Sequence, residues 1–184
     1  MKKTSLWSLL ILALALSIIT ACSGGGGGGG GGSTASGPTM AVITLATTTT
    51  SSIPQEIIIA GYDVTINLPA GVTVRSSTPP QTDPGVVNLT SGSAGSSITG
   101  AYTPATATTP AKVRIVIAKA EGLKIGEFAT VICNIAAGYR PQASDFSLSS
   151  NPLPLTSGFN ESTHSTVQGN LSGVSIAPSS VVIN

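Results

Sequence analysis

The chain has 184 residues, of which 41% are hydrophobic and only 8% are charged, and its formal net charge is +1. This neutral balance argues against a nucleic-acid-binding protein, because such proteins present a basic face to the phosphates. The aliphatic content argues equally against a disordered chain, which would be poorer in aliphatic residues and richer in charge.

The first 21 residues are organised like a signal peptide. Lys2 and Lys3 follow the initial methionine, and the stretch from Leu6 to Ile19 is almost wholly apolar. This run of about 14 residues is shorter than the roughly 20 that a stable membrane-spanning helix needs. A cationic start followed by a short apolar run is typical of an export signal.

The apolar run ends in Ile19-Thr20-Ala21-Cys22. This segment resembles the lipobox of bacterial lipoproteins, in which the cysteine receives diacylglycerol and becomes the first residue of the mature protein. The resemblance implies that Cys22 is lipidated and that acyl chains anchor the protein, each buried methylene contributing about 0.8 kcal/mol. Ser23, by the same resemblance, implies the outer membrane, on its periplasmic or cell-surface side. The alternative is an ordinary secretory signal with an incidental cysteine.

Residues 22–39 are predicted to form a flexible, disordered tether. Gly24 to Gly32 are nine consecutive glycines, and the next residues are small and polar. Glycine has no side chain to bury, and a flexible chain of about 17 residues has an r.m.s. reach of roughly 20–25 Å. A phosphate-binding loop is not indicated, because no strand precedes the glycines and no helix succeeds them.

Residues 40–184 form one domain, whose hydrophobic residues alternate with a period of two. Turn signals separate the alternating segments, and no window shows a convincing helical stripe, so the pattern predicts an antiparallel β-sandwich of about nine strands. The long apolar segment from Phe128 to Ile135 is expected to be a central strand. The inward phase of the strands predicts six buried positions: Val64, Ile66, Ile115, Ile117, Val131 and Ile135.

Three segments of this domain resemble cohesin-type domains. Residues 61–74 (Gly-Tyr-Asp-Val-Thr-Ile-Asn-Leu-Pro-Ala-Gly-Val-Thr-Val) are similar to their early strands. Residues 126–131 resemble the passage from a glycine turn into a central strand, and residues 144–148 resemble the segment after that strand. The resemblance implies a jelly-roll sandwich that binds a protein partner, of the dockerin type in cohesins themselves, or a polysaccharide, as related sandwich domains do.

The sequence offers no constellation that predicts catalysis. The single histidine, His164, lies with Glu161 in a polar stretch that is expected to be a loop, without a recognisable nucleophile. The remaining carboxylates never pair at short spacing, and nothing in their pattern predicts a metal site or a cofactor. Cys133 has the phase of a small buried core residue, which free cysteines often are.

The prediction is therefore a non-catalytic lipoprotein that displays a sandwich domain for protein binding or surface assembly. A carbohydrate-binding lipoprotein is the alternative, and several exposed aromatic rings on one sheet face would favour it. The phase of the strands places Tyr62, Phe128 and Phe146 in the core. The residues left as candidate surface contacts are Tyr102, Tyr139, Arg140 and Phe159.

Overall fold

The structure, a computed structural model, describes residues 37–50, 57–149, 158–160, 162–167 and 173–184. The predicted signal peptide, Cys22 and the glycine tether up to residue 36 lie outside the described residues. Within the described part of the chain, no helix is long and apolar enough to cross a membrane.

The regular secondary structure of the described residues consists of β-strands and two 3-10 turns, at Ser91–Ser93 and Ala143–Asp145. In chain order the strands are β1 (Met40–Thr49), β2 (Ile57–Ile59), β3 (Gly61–Leu68), β4 (Val72–Thr73), β5 (Val87–Leu89), β6 (Ser97–Thr103), β7 (Ala111–Ala118), β8 (Gly126–Ile135), β9 (Ser147–Leu148), β10 (Gly158–Asn160), β11 (Ser165–Val167) and β12 (Val174–Ile183).

The strands differ from the sequence prediction mainly where they are very short or interrupted. β2, β10 and β11 were not predicted, because three residues are too few to show an alternation. The alternation near the end of the chain predicts two short segments, Val174 to Ile176 and Val181 to Ile183. In the structure both belong to one strand, β12, which passes Pro178 at a shift in register opposite Thr44 and Leu45. Such a bulge lets a strand continue past a residue that lacks a backbone N–H.

A five-stranded sheet is built around β8. β1 pairs antiparallel with β8 on one side and with β12 on the other. Along its second edge, β8 pairs with β4 near Ile135 and with β5 near Val131. The prediction that this long apolar strand is central is confirmed.

A four-stranded sheet has the order β6-β7-β3-β9, again with antiparallel pairing. β3 and β7 pair along their full lengths, from Gly61 opposite Ala118 to Leu68 opposite Ala111. A small third sheet has the order β11-β10-β2.

The five-stranded and four-stranded sheets bury one shared hydrophobic core, so the fold is an antiparallel all-β sandwich. The six positions predicted to be inward are at most 6% exposed, and Tyr62, Phe128 and Phe146 are also buried. The rings of Tyr62 and Phe128 lie 5.0 Å apart between centroids, tilted by 41°. Period-two alternation therefore predicted the core correctly, because successive side chains of a strand point to opposite faces.

Residues 74–86, here called the crossover, connect the edges of the two large sheets. The segment leaves β4, and the Thr82 N–H then donates to the Gly100 carbonyl of β6 at 3.1 Å. It returns to the five-stranded sheet where the Ile132 N–H donates to the Val86 carbonyl at 2.8 Å. The crossover thus closes one side of the sandwich with backbone hydrogen bonds to both layers.

Candidate binding surfaces

The titratable side chains of the described residues are dispersed over the sandwich. No group of three or more His, Cys, Asp and Glu side chains that could hold a metal ion occurs among them. His164 is exposed in the turn between β10 and β11, with a φ of 51°, which agrees with the predicted loop position. Glu161 lies outside the described residues.

Cys133 is a core residue, as predicted. Its side chain is fully buried in β8 and forms no disulfide. Burial disfavours the charged thiolate and raises the pKa of Cys133 to about 12. Because the thiolate is the nucleophilic form, this thiol is unreactive at neutral pH.

The outer face of the four-stranded sheet carries one ion pair. Arg114 of β7 binds Asp63 of β3 with both ends of its guanidinium group, and the Nε–Oδ1 distance is 2.9 Å. This contact raises the pKa of Arg114 above its ordinary value. Exposed pairs of this kind stabilise a fold by about 0.2–1 kcal/mol, so the pair serves mainly to fix the two side chains on a polar face.

A second carboxylate is held within the crossover. The backbone N–H and the hydroxyl of Ser77 donate to Asp83 at 2.6 and 2.9 Å. These hydrogen bonds, the backbone one foremost, hold the pKa of Asp83 below its ordinary value. Both carboxylate oxygens are engaged by the fold itself, so Asp83 has a structural role.

The prediction that Tyr102 is an exposed contact is wrong. Tyr102 is only 8% exposed, because it shares the inward phase of β6 with Ile98 and Gly100. Gly100 concealed that phase in the sequence, since it adds no hydrophobic side chain to the alternation. A side chain there would meet Thr82 and Val87 of the segment packed against β6, at 2.5 and 2.7 Å.

The other candidate contacts have different outcomes. Tyr139 and Arg140 are exposed in the connection between β8 and β9, as expected. Phe159 belongs to β10, and its side chain lies outside the described residues. Tyr139 is the one exposed ring among the described aromatic side chains, so these residues provide no aromatic platform on a sheet face.

Tyr139 is held against the turn between β3 and β4. Gly71 in that turn has a φ of +75°, and a Cβ placed on it would lie 2.1 Å from Cγ of the Tyr139 ring. The Ala136 N–H donates to the Gly71 carbonyl at 2.9 Å, which fixes the two segments to each other. Arg140 takes no part in the contact with Gly71. Its guanidinium group lies beside Gly37.

A groove of about 530 Å³ opens next to Gly71. Its walls are residues 68–73, at the β3–β4 turn, and residues 104–111, the β6–β7 loop and the start of β7, together with the small exposed part of Tyr102. Sequence reasoning missed this groove, because its two walls are separated by about thirty residues and neither carries a recognisable motif.

The outer face of the five-stranded sheet carries an apolar row that spans three strands. Val42 of β1 is directly opposite Ile132 of β8 and Val182 of β12. Val42 and Ile132 are partly buried by their neighbours, whereas Val182 is 50% exposed. The residues that flank Val42 along its own strand face, Thr44 and Met40, are uncharged, so this surface (the Val42 row) is apolar at its centre.

No family model, no curated protein and no solved structure matches this chain.

Proposed function

We propose that this chain is a lipoprotein of the cell envelope, anchored through lipid on Cys22, that displays a non-catalytic, cohesin-like sandwich for binding a protein partner. The export signal and the Ile19-Thr20-Ala21-Cys22 segment support the anchor, and Ser23 supports the outer membrane. The protein partner, of dockerin-like or another type, would bind the domain that follows the predicted glycine tether.

The observation that carries the binding role is the Val42 row. The cores of protein interfaces are apolar and depleted in charge, and their rims are polar. Val182, Val42 and Ile132 supply such a centre, because they are adjacent across the strands and Val182 remains half exposed. The row is surrounded by hydroxyl and amide side chains, including Thr44, Thr130 and Asn134, which suit a polar rim.

The jelly-roll topology is supported by the way in which successive strands alternate between the two large sheets. β1, β4, β5, β8 and β12 lie in the five-stranded sheet, and β3, β6, β7 and β9 in the four-stranded one. Repeated crossing between two antiparallel sheets is typical of Greek-key and jelly-roll sandwiches.

Mass spectrometry of the mature N-terminus tests the anchor. A diacylated peptide beginning at Cys22 is expected, and Cys22→Ala should abolish both the modification and the retention in membranes. An unmodified peptide that begins at another residue would contradict the anchor.

Site-specific photo-crosslinking in the native cells tests the binding role and the face. A photoreactive side chain at Val42 should give a discrete protein adduct that Val182→Glu removes. The matched control is the same probe at Val116, an exposed valine on the outer face of the four-stranded sheet. An adduct at Val116 alone would assign docking to the other sheet, and no adduct at either position would contradict protein binding.

A further inference from the structure

Three loops lie together at the end of the sandwich where β1 begins, here called the tether end. β3 ends opposite the start of β7, which places the β3–β4 turn beside the β6–β7 loop (residues 104–110). β8 ends at Ile135, which pairs with Val72 of β4, so the β8–β9 connection starts at the same end. β1 begins at Met40, which pairs with Asn134. The chain therefore enters the domain where these three loops lie.

The tether end is also where the chain from the predicted lipid anchor joins the domain. Gly37, the first described residue, lies beside the guanidinium of Arg140, since a Cβ placed on Gly37 would be 3.7 Å from a guanidinium nitrogen. Residues 23–36 separate Gly37 from the predicted lipidated Cys22. A flexible chain of about 14 residues has an r.m.s. reach of roughly 20 Å. Such a short connection gives an effective concentration in the millimolar range, so even a weak contact between domain and bilayer is populated.

The loops of the tether end carry little charge. The β3–β4 turn (residues 69–71) and the β6–β7 loop contain only proline, alanine, glycine and threonine, and every residue that lines the groove between them is uncharged. The β8–β9 connection adds one cation, Arg140, and one carboxylate, Asp145. Asp145 accepts a hydrogen bond of 2.8 Å from the Gln142 N–H, so it is engaged by the fold. Bringing this end against lipid headgroups removes few charged groups from water.

Tyr139 and Arg140 are neighbouring exposed residues at this end. Tyr139 is 46% exposed, and the contact of its ring with Gly71 holds it at the surface. A tyrosine combines an apolar ring with a polar hydroxyl, which is why tyrosines concentrate where lipid headgroups meet water. Arg140 makes no hydrogen bond or ion pair with the described residues, and a guanidinium group donates in a fork that fits phosphate oxygens. The pair thus presents two side chains that suit a phospholipid surface.

The opposite end of the sandwich has a different charge pattern. The β7–β8 loop (residues 119–125) contains two lysines and Glu121, and Glu127 follows it in β8, so the two signs balance there. At the tether end, Lys112 near the start of β7 adds a second cation beside the β6–β7 loop, and cations outnumber carboxylates. An anionic surface attracts cations that lie within a Debye length of it. Charge complementarity with an anionic bilayer therefore favours the tether end.

We infer that the tether end of the domain rests against the surface of an anionic phospholipid bilayer, with the Tyr139 ring among the headgroups and the Arg140 guanidinium bound to a phosphate. The inference rests on the anchor of the proposed function, because the tether supplies the concentration that a weak contact needs. The contact is made by loops and is separate from the Val42 row, which lies on a sheet face.

Tryptophan fluorescence of the lipidated chain tests this contact. The one tryptophan of the chain, Trp7, lies in the predicted signal peptide and leaves with it, so Tyr139→Trp places a single reporter at the tether end. The matched control is Ile125→Trp, since Ile125 is a 40% exposed apolar residue at the opposite end. Each mature chain is purified with its lipid and reconstituted into vesicles of phosphatidylethanolamine and phosphatidylglycerol, with or without phospholipids brominated close to the headgroup.

Brominated lipid should quench the tryptophan at position 139 and leave the one at position 125 unquenched. Ala107→Trp, in the exposed β6–β7 loop, should also be quenched, and adding Tyr139→Ala to that chain should reduce the quenching. Arg140→Gln in the Tyr139→Trp chain should lower the ratio of bound to free domains by about fivefold, the factor that one arginine contributes near an anionic surface. On vesicles of phosphatidylcholine alone this substitution should have far less effect. Equal melting temperatures establish that each variant is folded.

Absence of quenching at positions 139 and 107 in an anchored chain would overturn the inference. Equal quenching at position 125, or an effect of Arg140→Gln that is as large on neutral vesicles, would do the same. A parent chain that keeps the emission of Trp7 or lacks the lipid would contradict the anchor, and with it this inference. An anchored chain without quenching contradicts the inference alone, so the two failures are distinguishable.

Discussion

Replacing Ile66 with alanine should lower the free energy of unfolding by about 2–5 kcal/mol. Ile66 is fully buried in the core, and the change removes three carbon atoms, whose transfer alone contributes about 2.4 kcal/mol at about 0.8 kcal/mol each. The cavity adds to this loss. Because Val113 and Leu148 on the neighbouring strands pin the backbone of Ile66 from both sides, the site collapses little, and we expect the upper half of the range.

Thr65 is the matched control, since it is the adjacent residue of the same strand. Its side chain lies on the outer face, opposite Arg114, and is only partly buried. Thr65→Ala should therefore lower the free energy of unfolding by less than about 1 kcal/mol, which is the range over which amino acids differ in their intrinsic preference for strands.

Urea unfolding of the two variants and the parent chain measures both values, provided that the dependence on denaturant is the same for all three. Equal losses at the two positions, or a larger loss at Thr65, would show that the assigned phase of β3 is wrong.

The hydroxyl of Tyr62 is buried without a hydrogen-bond partner. Burial raises the pKa of Tyr62, and the Thr47 hydroxyl acts in the opposite direction. The Thr47 hydroxyl already exchanges hydrogen bonds with the backbone of Gly126. Tyr62→Phe should consequently leave the free energy of unfolding unchanged or raise it by about 1 kcal/mol. A loss of about 1 kcal/mol in the same urea series would show that the Tyr62 hydroxyl does make a hydrogen bond in the folded protein. Cys133 should resist a thiol reagent at pH 8 and react stoichiometrically once the chain is unfolded, whereas rapid labelling of the native protein would contradict its burial and its pKa of about 12. The pKa of Asp83, followed by NMR titration, should lie below its ordinary value, and Ser77→Ala should raise it by removing one donor. Because folding lowers this pKa, its contribution to stability is present above the unfolded pKa and is lost as the pH falls through the folded value.

Local pattern was enough to predict the all-β class and the inward positions of the longest strands. In β3, Val64 and Ile66 alternate with polar residues, and the same alternation runs through Val113, Ile115 and Ile117 of β7. Successive side chains of a strand point to opposite faces, so an alternation of hydrophobic and polar residues shows which side chains lie on the buried face. The lipid anchor at Cys22 rests likewise on a contiguous segment, and it stays a prediction.

Prediction from the sequence failed where the burial or the contacts of a residue depend on another residue that lies far along the chain or has no side chain. The sequence leaves Tyr102 as a surface candidate although it is buried, because Gly100, two residues before it, gives no hydrophobic signal for the inward phase of β6. Aligning Val42 with both Ile132 and Val182 requires the register of three strands, and a bulge shifts that register opposite Pro178.

The order of residues along the chain was thus enough to determine the strand period and the core, and it predicts an export signal and a lipid anchor at the start of the chain. Tertiary structure alone decided which surfaces exist. The Tyr139 ring reaches Gly71 only after β8 and the β3–β4 turn meet at one end of the sandwich, and the groove appears only where that turn lies beside the β6–β7 loop. The physical reason is that alternation is a property of neighbouring residues, whereas a binding surface depends on register and on loops brought together across sheets, and neither leaves a local trace in the sequence.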